Sequence, residues 1–403
     1  MKQISGGVTA AKGYKAGGVK AAIKSKKKND LCLIVSECEA AAAGVYTLNR
    51  VKAAPIYVTM EHLEDGVAKA IIANSGNANA FAHNSHESVE RMCELAAEHL
   101  GIIPEDVIVA STGVIGVPFD ISKVEKVMPE LVQSLSEDGS HEAAVAIMTT
   151  DTVSKEFAVE FNIGGKTVTM GGIAKGSGMI HPNMGTMLAF ITTDCAITPE
   201  LLHEALAETV KVTYNRVSVD GDTSTNDMCV IMANGMAENP LIEWKDDNYQ
   251  VFLAALKEVN EHFAKAIARD GEGATKLVTC HVYNSRSDDS AERIAMEVIK
   301  SSLVKAAMFG SDANWGRVLC AMGYSKAPFR PEYVDIAFAS AAGEIVVCKQ
   351  GDGQNFDEDK AKAILSQNEV TIEINLNEGT HEATAWGCDL TYDYVRINGD
   401  YRS

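Results

Sequence analysis

The stretch Lys175-Gly-Ser-Gly-Met-Ile-His-Pro-Asn-Met-Gly-Thr186 is the part of the sequence best equipped for covalent chemistry. It packs three glycines, a proline and an asparagine into a loop, and the apolar run Met187-Leu-Ala-Phe-Ile-Thr192 follows at once. A Gly-Thr junction before a buried strand is what a self-cleaving enzyme with an N-terminal nucleophile needs. Gly185 permits strained backbone torsions, and the Thr186 hydroxyl can attack the carbonyl of its own preceding peptide bond. Cleavage would free an α-amine beside Thr186 Oγ, and its unperturbed pKa of about 7.7–8.0 suits it as a general base near neutral pH. A neighbouring ammonium, for which Lys175 is the candidate, would lower that pKa further. The same residues also describe a glycine-rich turn followed by a strand that begins with threonine.

Two other segments have chemical potential. Ser111-Thr112-Gly113-Val-Ile-Gly116 follows the strand-like run Val107-Ile-Val-Ala110. There a hydroxyl and a glycine N–H could point together at a developing oxyanion, each such donor being worth roughly 10²–10³ in rate; a plain turn is the alternative. Asp270-Gly-Glu272-Gly-Ala-Thr-Lys276 sets a carboxylate between two glycines, where a ligand can approach closely, although helix capping accounts for the pattern as well. Asp220-Gly-Asp-Thr-Ser-Thr-Asn-Asp227 begins like a calcium loop but lacks the glycine and glutamate such a loop requires. His83 and His86 have no third metal ligand in a recognisable frame, and no dinucleotide or phosphate-loop fingerprint occurs.

These segments must be held by regular elements. Short β-like runs recur at 31–35, 70–73, 107–110, 157–163, 167–170, 187–192, 228–232, 277–282, 333–339, 344–349, 369–376 and 382–390, most of them bounded by Gly, Asn or Asp. Helical spacing of apolar residues appears at 88–100, 122–135, 199–212, 251–269, 288–301 and 360–366. Each of these helices has one apolar face that must lie against something, most simply a sheet, so the fold class is α/β or α+β with helices outside.

Composition narrows the partners. The 403 residues carry 36 Lys+Arg against 55 Asp+Glu, a net charge of −19, which disfavours polyanionic nucleic acid and anionic membrane surfaces. Residues 1–29 hold eight lysines and no acid, and Lys26-Lys27-Lys28 reads as a solvated hairpin tip rather than an anion-binding patch. No run of about 18 apolar residues is present to span a bilayer. Nine scattered cysteines without a CxxC pair read as buried thiols of a reducing cytoplasm.

In order along the chain, Ser111–Gly116, Met148-Thr-Thr-Asp-Thr152, Lys175–Thr186, Asp220–Asp227, Gly271-Glu-Gly-Ala-Thr-Lys276, Asp312-Ala-Asn-Trp-Gly-Arg317 and Asn398-Gly-Asp-Tyr-Arg-Ser403 resemble the ornithine acetyltransferase (ArgJ) family over essentially the whole length. The resemblance implies a two-lobed αββα-type sandwich of the ornithine acetyltransferase/DmpA kind, layered like N-terminal nucleophile hydrolases but differently connected. It also implies a glutamate N-acetyltransferase of cyclic arginine biosynthesis, made as a precursor cut between Gly185 and Thr186. Chains 1–185 and 186–403 would stay intertwined and assemble as a heterotetramer of two of each. By the same carry-over Thr186 is the nucleophile, and Thr112 and Gly113 form the oxyanion hole. Thr152, Lys175, Thr186, Glu272, Asn398 and Ser403 match substrate-binding positions, with Thr149 and Thr150 as alternatives to Thr152. This chain has Gly185 where the family often has alanine, and the residue at the position of His181 varies.

The chemistry implied is ping-pong transfer through an acetyl ester on Thr186, with N-acetylornithine as donor and glutamate as acceptor, and with no metal or redox cofactor at any step. Acetyl-CoA is left open as a second donor. The alternative is an aminopeptidase or amidase with the same self-cleaved nucleophile, water replacing glutamate.

Overall fold

In the computed structural model, which describes residues 1–24, 28–181 and 187–400, the apolar runs build two β-sheets. In chain order the strands are β1 (Lys2–Ile4), β2 (Tyr14–Val19), β3 (Leu31–Tyr46), β4 (Val67–Asn77), β5 (Val107–Val114), β6 (Lys155–Ile163), β7 (Lys166–Lys175), β8 (Leu188–Thr193), β9 (Val217–Ser218) and β10 (Met228–Ala233). Then follow β11 (Leu277–Ser285), β12 (Asp335–Ser340), β13 (Gly343–Lys349), β14 (Asp352–Gly353), β15 (Glu369–Asn375) and β16 (His381–Cys388). The first sheet has the order β1-β6-β7-β8-β10-β3-β4-β5, with β2 also paired to β3. The second runs β14-β13-β12-β15-β11-β16-β9.

The centre of the first sheet is the parallel pair β8 and β10, in register from Leu188 opposite Met228 to Thr193 opposite Ala233. Every residue of both strands is buried, which explains why they read as continuous apolar runs rather than alternating ones. Parallel neighbours need a crossover, and helix Pro199–Val212 lies within it. That helix starts where it does because Thr198 caps it, accepting from the Leu201 amide, and Pro199 can occupy the first turn without losing a hydrogen bond.

Elsewhere the period-2 rule governs. Along β5, Val107 and Val109 join one apolar cluster with helices Ser85–Leu100 and Ser122–Gln133, whereas Ile108 and Ala110 join another with helix Ser140–Ile147. The second sheet packs against helices Asp288–Lys300, Ser302–Gly310, Trp315–Gly323 and Glu358–Leu365. Helix Asp247–Arg269 joins the lobes, because its Phe252, Leu256, Val259 and Phe263 share a cluster with Val159 and Met170 of the first sheet and Leu277 and Trp386 of the second. The architecture is thus the two-lobed α/β arrangement with two sheets.

Several elements depart from the sequence reading. The run at 31–35 continues to Tyr46, because a register irregularity against β4 between Val35 and Ala40 lets Glu37 to Glu39 face solvent without ending the strand. The short strands β1 and β2 and helices Ala54–His62, Ser140–Ile147, Ser302–Gly310, Trp315–Gly323 and Tyr392–Gly399 carried too little periodicity to be predicted. Of the nine thiols, Cys38 and Cys320 are exposed and the others buried, and all are free. The tip at Lys26 and Lys27 lies outside the described residues. Among the described residues, no helix is long and apolar enough to cross a membrane.

Phe263→Ala tests the joining helix. The side chain is fully buried, and the truncation is expected to lower stability by roughly 3–5 kcal/mol in urea denaturation.

Candidate functional site

Strands β4 and β5 run parallel, with Gly76 opposite Gly113 at their carboxyl ends, the edge where parallel sheets place ligands. Gly113 has φ of 137°, and a Cβ there would lie 2.3 Å from the Gly76 carbonyl carbon and 2.5 Å from the Asn77 nitrogen, so only glycine fits. A buried amide network supports this corner. Ser111 Oγ donates to Asn74 Oδ1 (2.7 Å), Asn79 Nδ2 donates to Ser111 Oγ (2.9 Å), and Asn226 Nδ2 donates to the Ala78 and Ser111 carbonyls (2.7 and 2.9 Å).

Lys175 is the last residue of β7, and its ammonium reaches the Thr112 hydroxyl at 3.4 Å. The side chain is only 2% exposed, and burial pulls its pKa down while the nearby negative charge of Asp151 opposes that pull. Downstream the chain is pinned group by group. The Gly176 amide donates to Asp151 Oδ1 (2.8 Å), Ser177 Oγ donates to the Asp270 carbonyl (2.7 Å), and the Glu272 amide donates to the Ser177 carbonyl (2.9 Å). A Cβ on Gly178 would fall 2.3–2.5 Å from the Glu272 carboxyl atoms, so this glycine makes the space that Glu272 occupies. Helix Tyr392–Gly399, which buries none of its own residues, brings Asn398 to the same carboxylate, Nδ2 donating to Oε2 at 2.6 Å.

Thr112, Gly113, Lys175, Glu272 and Asn398 thereby line one cleft enclosing about 290 Å³, near the lower end of the range for small-molecule sites, roughly 300–1,000 Å³. Thr149 and Thr150 also line it. Thr152 does not appear among the described lining residues; its amide (3.1 Å) and its hydroxyl both donate to the Asp270 carboxylate. Gly185, Thr186 and Ser403 lie outside the described residues. On the approach to position 182, the Met179 and Ile180 amides donate to Asp220 (2.5 and 2.9 Å), and His181 Nδ1 bonds Ser218 Oγ (3.0 Å). Beyond position 186, the Met187 amide donates to Asp227 Oδ1 at 3.0 Å, and the Met187 carbonyl accepts from Met228. Asp227 is completely buried, which drives its carboxyl well above the ordinary carboxylate range.

The sequence reading missed Asp151, Lys155, Asp220, Asn226 and Asp227. The signal for three of them was the acid- and amide-rich run 220–227, which fails as a calcium loop and matches the family pattern, but to which the sequence assigns no site role. Its side chains instead satisfy backbone amides and carbonyls around the cleft.

A profile of the ArgJ family matches residues 15–403. Arginine biosynthesis bifunctional protein ArgJ 1 of Clostridium acetobutylicum is 53% identical over 391 residues, covering 97% of this chain and 96% of the relative. Arginine biosynthesis bifunctional protein ArgJ of Caldanaerobacter subterraneus subsp. tengcongensis is 50% identical over 404 residues, covering all of both. The crystal structure of arginine biosynthesis bifunctional protein ArgJ from Bacillus halodurans aligns with a TM-score of 0.51 at 47% identity, over 54% of this chain and all of the solved one.

Gly113→Ala is expected to destabilise more than Gly101→Ala in thermal unfolding. Gly101 also has positive φ, 70°, but nothing lies within 4 Å of a Cβ there. The control should cost about 1–2 kcal/mol for its backbone alone, and an equal loss at both positions would contradict the close approach of β4 and β5.

Proposed function

The chain belongs to the ArgJ family, and on that premise we propose that it is a self-processing glutamate N-acetyltransferase, carrying the acetyl group of N2-acetylornithine to glutamate. The observation that carries the reading is the convergence of Thr112, Gly113, Lys175, Glu272 and Asn398 on one cleft, together with the fastening of both flanks of segment 182–186 by the half-buried Asp220 and the buried Asp227.

In this reading the peptide bond between Gly185 and Thr186 is cut, leaving chains 1–185 and 186–403. Strand order supports their staying together, because β8 and β10 of the second piece sit between β7 and β3 of the first. The whole solved chain from Bacillus halodurans matches 54% of this sequence, and residues 186–403, 218 of 403, are also 54% of it. A heterotetramer of two of each piece, working in the cytoplasm, completes the proposal.

Thr186 Oγ then attacks the acetyl carbonyl as its proton passes to the free α-amine. Thr112 and Gly113 hold the oxyanion, and the C–N bond breaks as ornithine leaves with that proton. The glutamate amine attacks the acetyl ester in turn, giving N-acetylglutamate and regenerating the hydroxyl. Lys175 serves the α-carboxylate common to both substrates, with Thr152 or its neighbours Thr149 and Thr150 and the terminal Ser403 assisting. Glu272 with Asn398 meets the side-chain end, where Glu272 suits the ornithine ammonium and the Asn398 amide is a neutral donor for glutamate. The relatives' designation as bifunctional supports acetyl-CoA as a second donor.

Intact mass of the purified protein is expected to give two pieces beginning at Met1 and Thr186; Thr186→Ala should remain one piece and transfer no acetyl group. Acetyl transfer by uncut Thr186→Ala would remove the nucleophile assignment, and release of free acetate without acetylglutamate would favour an amidase. Turnover of acetyl-CoA and glutamate with acetylornithine left out is expected for a bifunctional enzyme, and its absence would make the chain monofunctional.

A further inference from the structure

Beneath the cleft lie three charged side chains that none of the steps above uses. Lys155 Nζ stands 2.7 Å from Asp151 Oδ1 and 2.6 Å from Asp270 Oδ2, with side-chain exposures of 1%, 0% and 6% respectively. Burying three charges is costly, and such clusters are poor stabilisers compared with apolar packing of the same volume, so stability alone is a weak reason for this one. Its hydrogen bonds point to a different role. Asp151 accepts from the Thr149 amide (3.1 Å) and the Gly176 amide (2.8 Å), while the Asp270 carboxylate accepts from Thr152 and the Asp270 carbonyl from Ser177 Oγ. Two residues beyond Asp270 stands Glu272, on the cleft wall.

We propose that Asp151, Lys155 and Asp270 form a positioning triad for the acyl transfer, which locks the 149–152, 175–178 and 270–272 walls of the cleft to one another and sets a fixed anion against Lys175. Two carboxylates and one ammonium leave a net charge of −1, which the Lys175 cation balances. Burial would raise the Asp151 carboxyl, but Lys175 and Lys155 outweigh it and hold it at about 2, so the anion is permanent at any working pH. The charged groups acting on Lys175 are Asp151, Lys155, Asp227, Glu272 and Lys24, and after burial Asp151 has the largest influence. Asp227, itself driven towards its neutral form by burial, contributes little charge.

The triad rests on the reading of Lys175 as the cation that holds substrate carboxylate, and the experiment separates the two. The pH profile of kcat/KM is measured with acetylornithine and glutamate for the full-length protein and for Asp151→Asn, Asp270→Asn and Lys175→Met, with processing checked by intact mass. Without the Asp151 anion, which sits on the adjacent Gly176 amide, Lys175 gives up its proton at lower pH. Asp151→Asn is therefore expected to move the alkaline limb down by about one pH unit or more. Asp270→Asn leaves that anion in place but frees Thr152 and Lys155. It is expected to keep the limb and lower kcat/KM by about tenfold to a hundredfold, chiefly through KM. A uniform loss at every pH in Asp151→Asn, or an unchanged KM in Asp270→Asn, overturns the triad, and the second result decides even where Asp151→Asn fails to fold. Full activity of Lys175→Met overturns the role of Lys175 itself, whereas an inactive Lys175→Met beside an unshifted Asp151→Asn overturns the triad alone.

Discussion

The loops that carry the cleft depend on backbone amides held by four carboxyl groups, those of Asp151, Asp227 and Asp270 buried and that of Asp220 half-buried. Asp151 takes the amides of Thr149 and Gly176, Asp270 that of Thr152, Asp220 that of Ile180, and Asp227 that of Met187. Where the acceptor is ionised, as at Asp151, the bond is stronger than a neutral one, and removing an acceptor would leave its amide donors unpaired, a loss of roughly 1–3 kcal/mol for a buried group. The irregular segments from 149 to 152 and from 176 to 180 acquire fixed shapes in this way without belonging to a helix or a strand.

The carboxylates are held in turn by the sheets. Lys155 opens β6, Lys175 closes β7, and Thr112 and Gly113 lie at the end of β5, so register along three strands decides where these cleft groups stand. Glycine is used at two tight places of the cleft for opposite purposes. At position 113 it lets two backbones touch; at position 178 it leaves room for a carboxylate.

How much of this could be read beforehand depended on the kind of signal. Strands β8 and β10 were legible as unbroken apolar runs, and helices such as Pro199–Val212 were legible from apolar spacing and a Thr-Pro start. Thr112, Gly113, Lys175, Glu272 and Asn398 were singled out from local motifs and from resemblance to a family, and they meet in one cleft. Asp151 and Asp270 had no local signature as partners, because the ion cluster joins positions more than a hundred residues apart through Lys155. Strand β3 beyond Val35 was invisible for a related reason, since its polar midsection looks like a turn until a neighbouring strand supplies the pairing. Helix Tyr392–Gly399, with no buried residue, has no periodicity to find.

The interleaving of strands in the first sheet bears on how the molecule is made. With β8 and β10 lying between β7 and β3, an intact chain finishes that sheet by a first-order search among tethered segments, the closure entropy growing only slowly with loop length. A chain severed between residues 185 and 186 has lost that tether, and the same sheet must then form by a second-order encounter of two pieces. Assembly before scission is the order of events this topology favours, and refolding after scission would depend on concentration where the first folding did not.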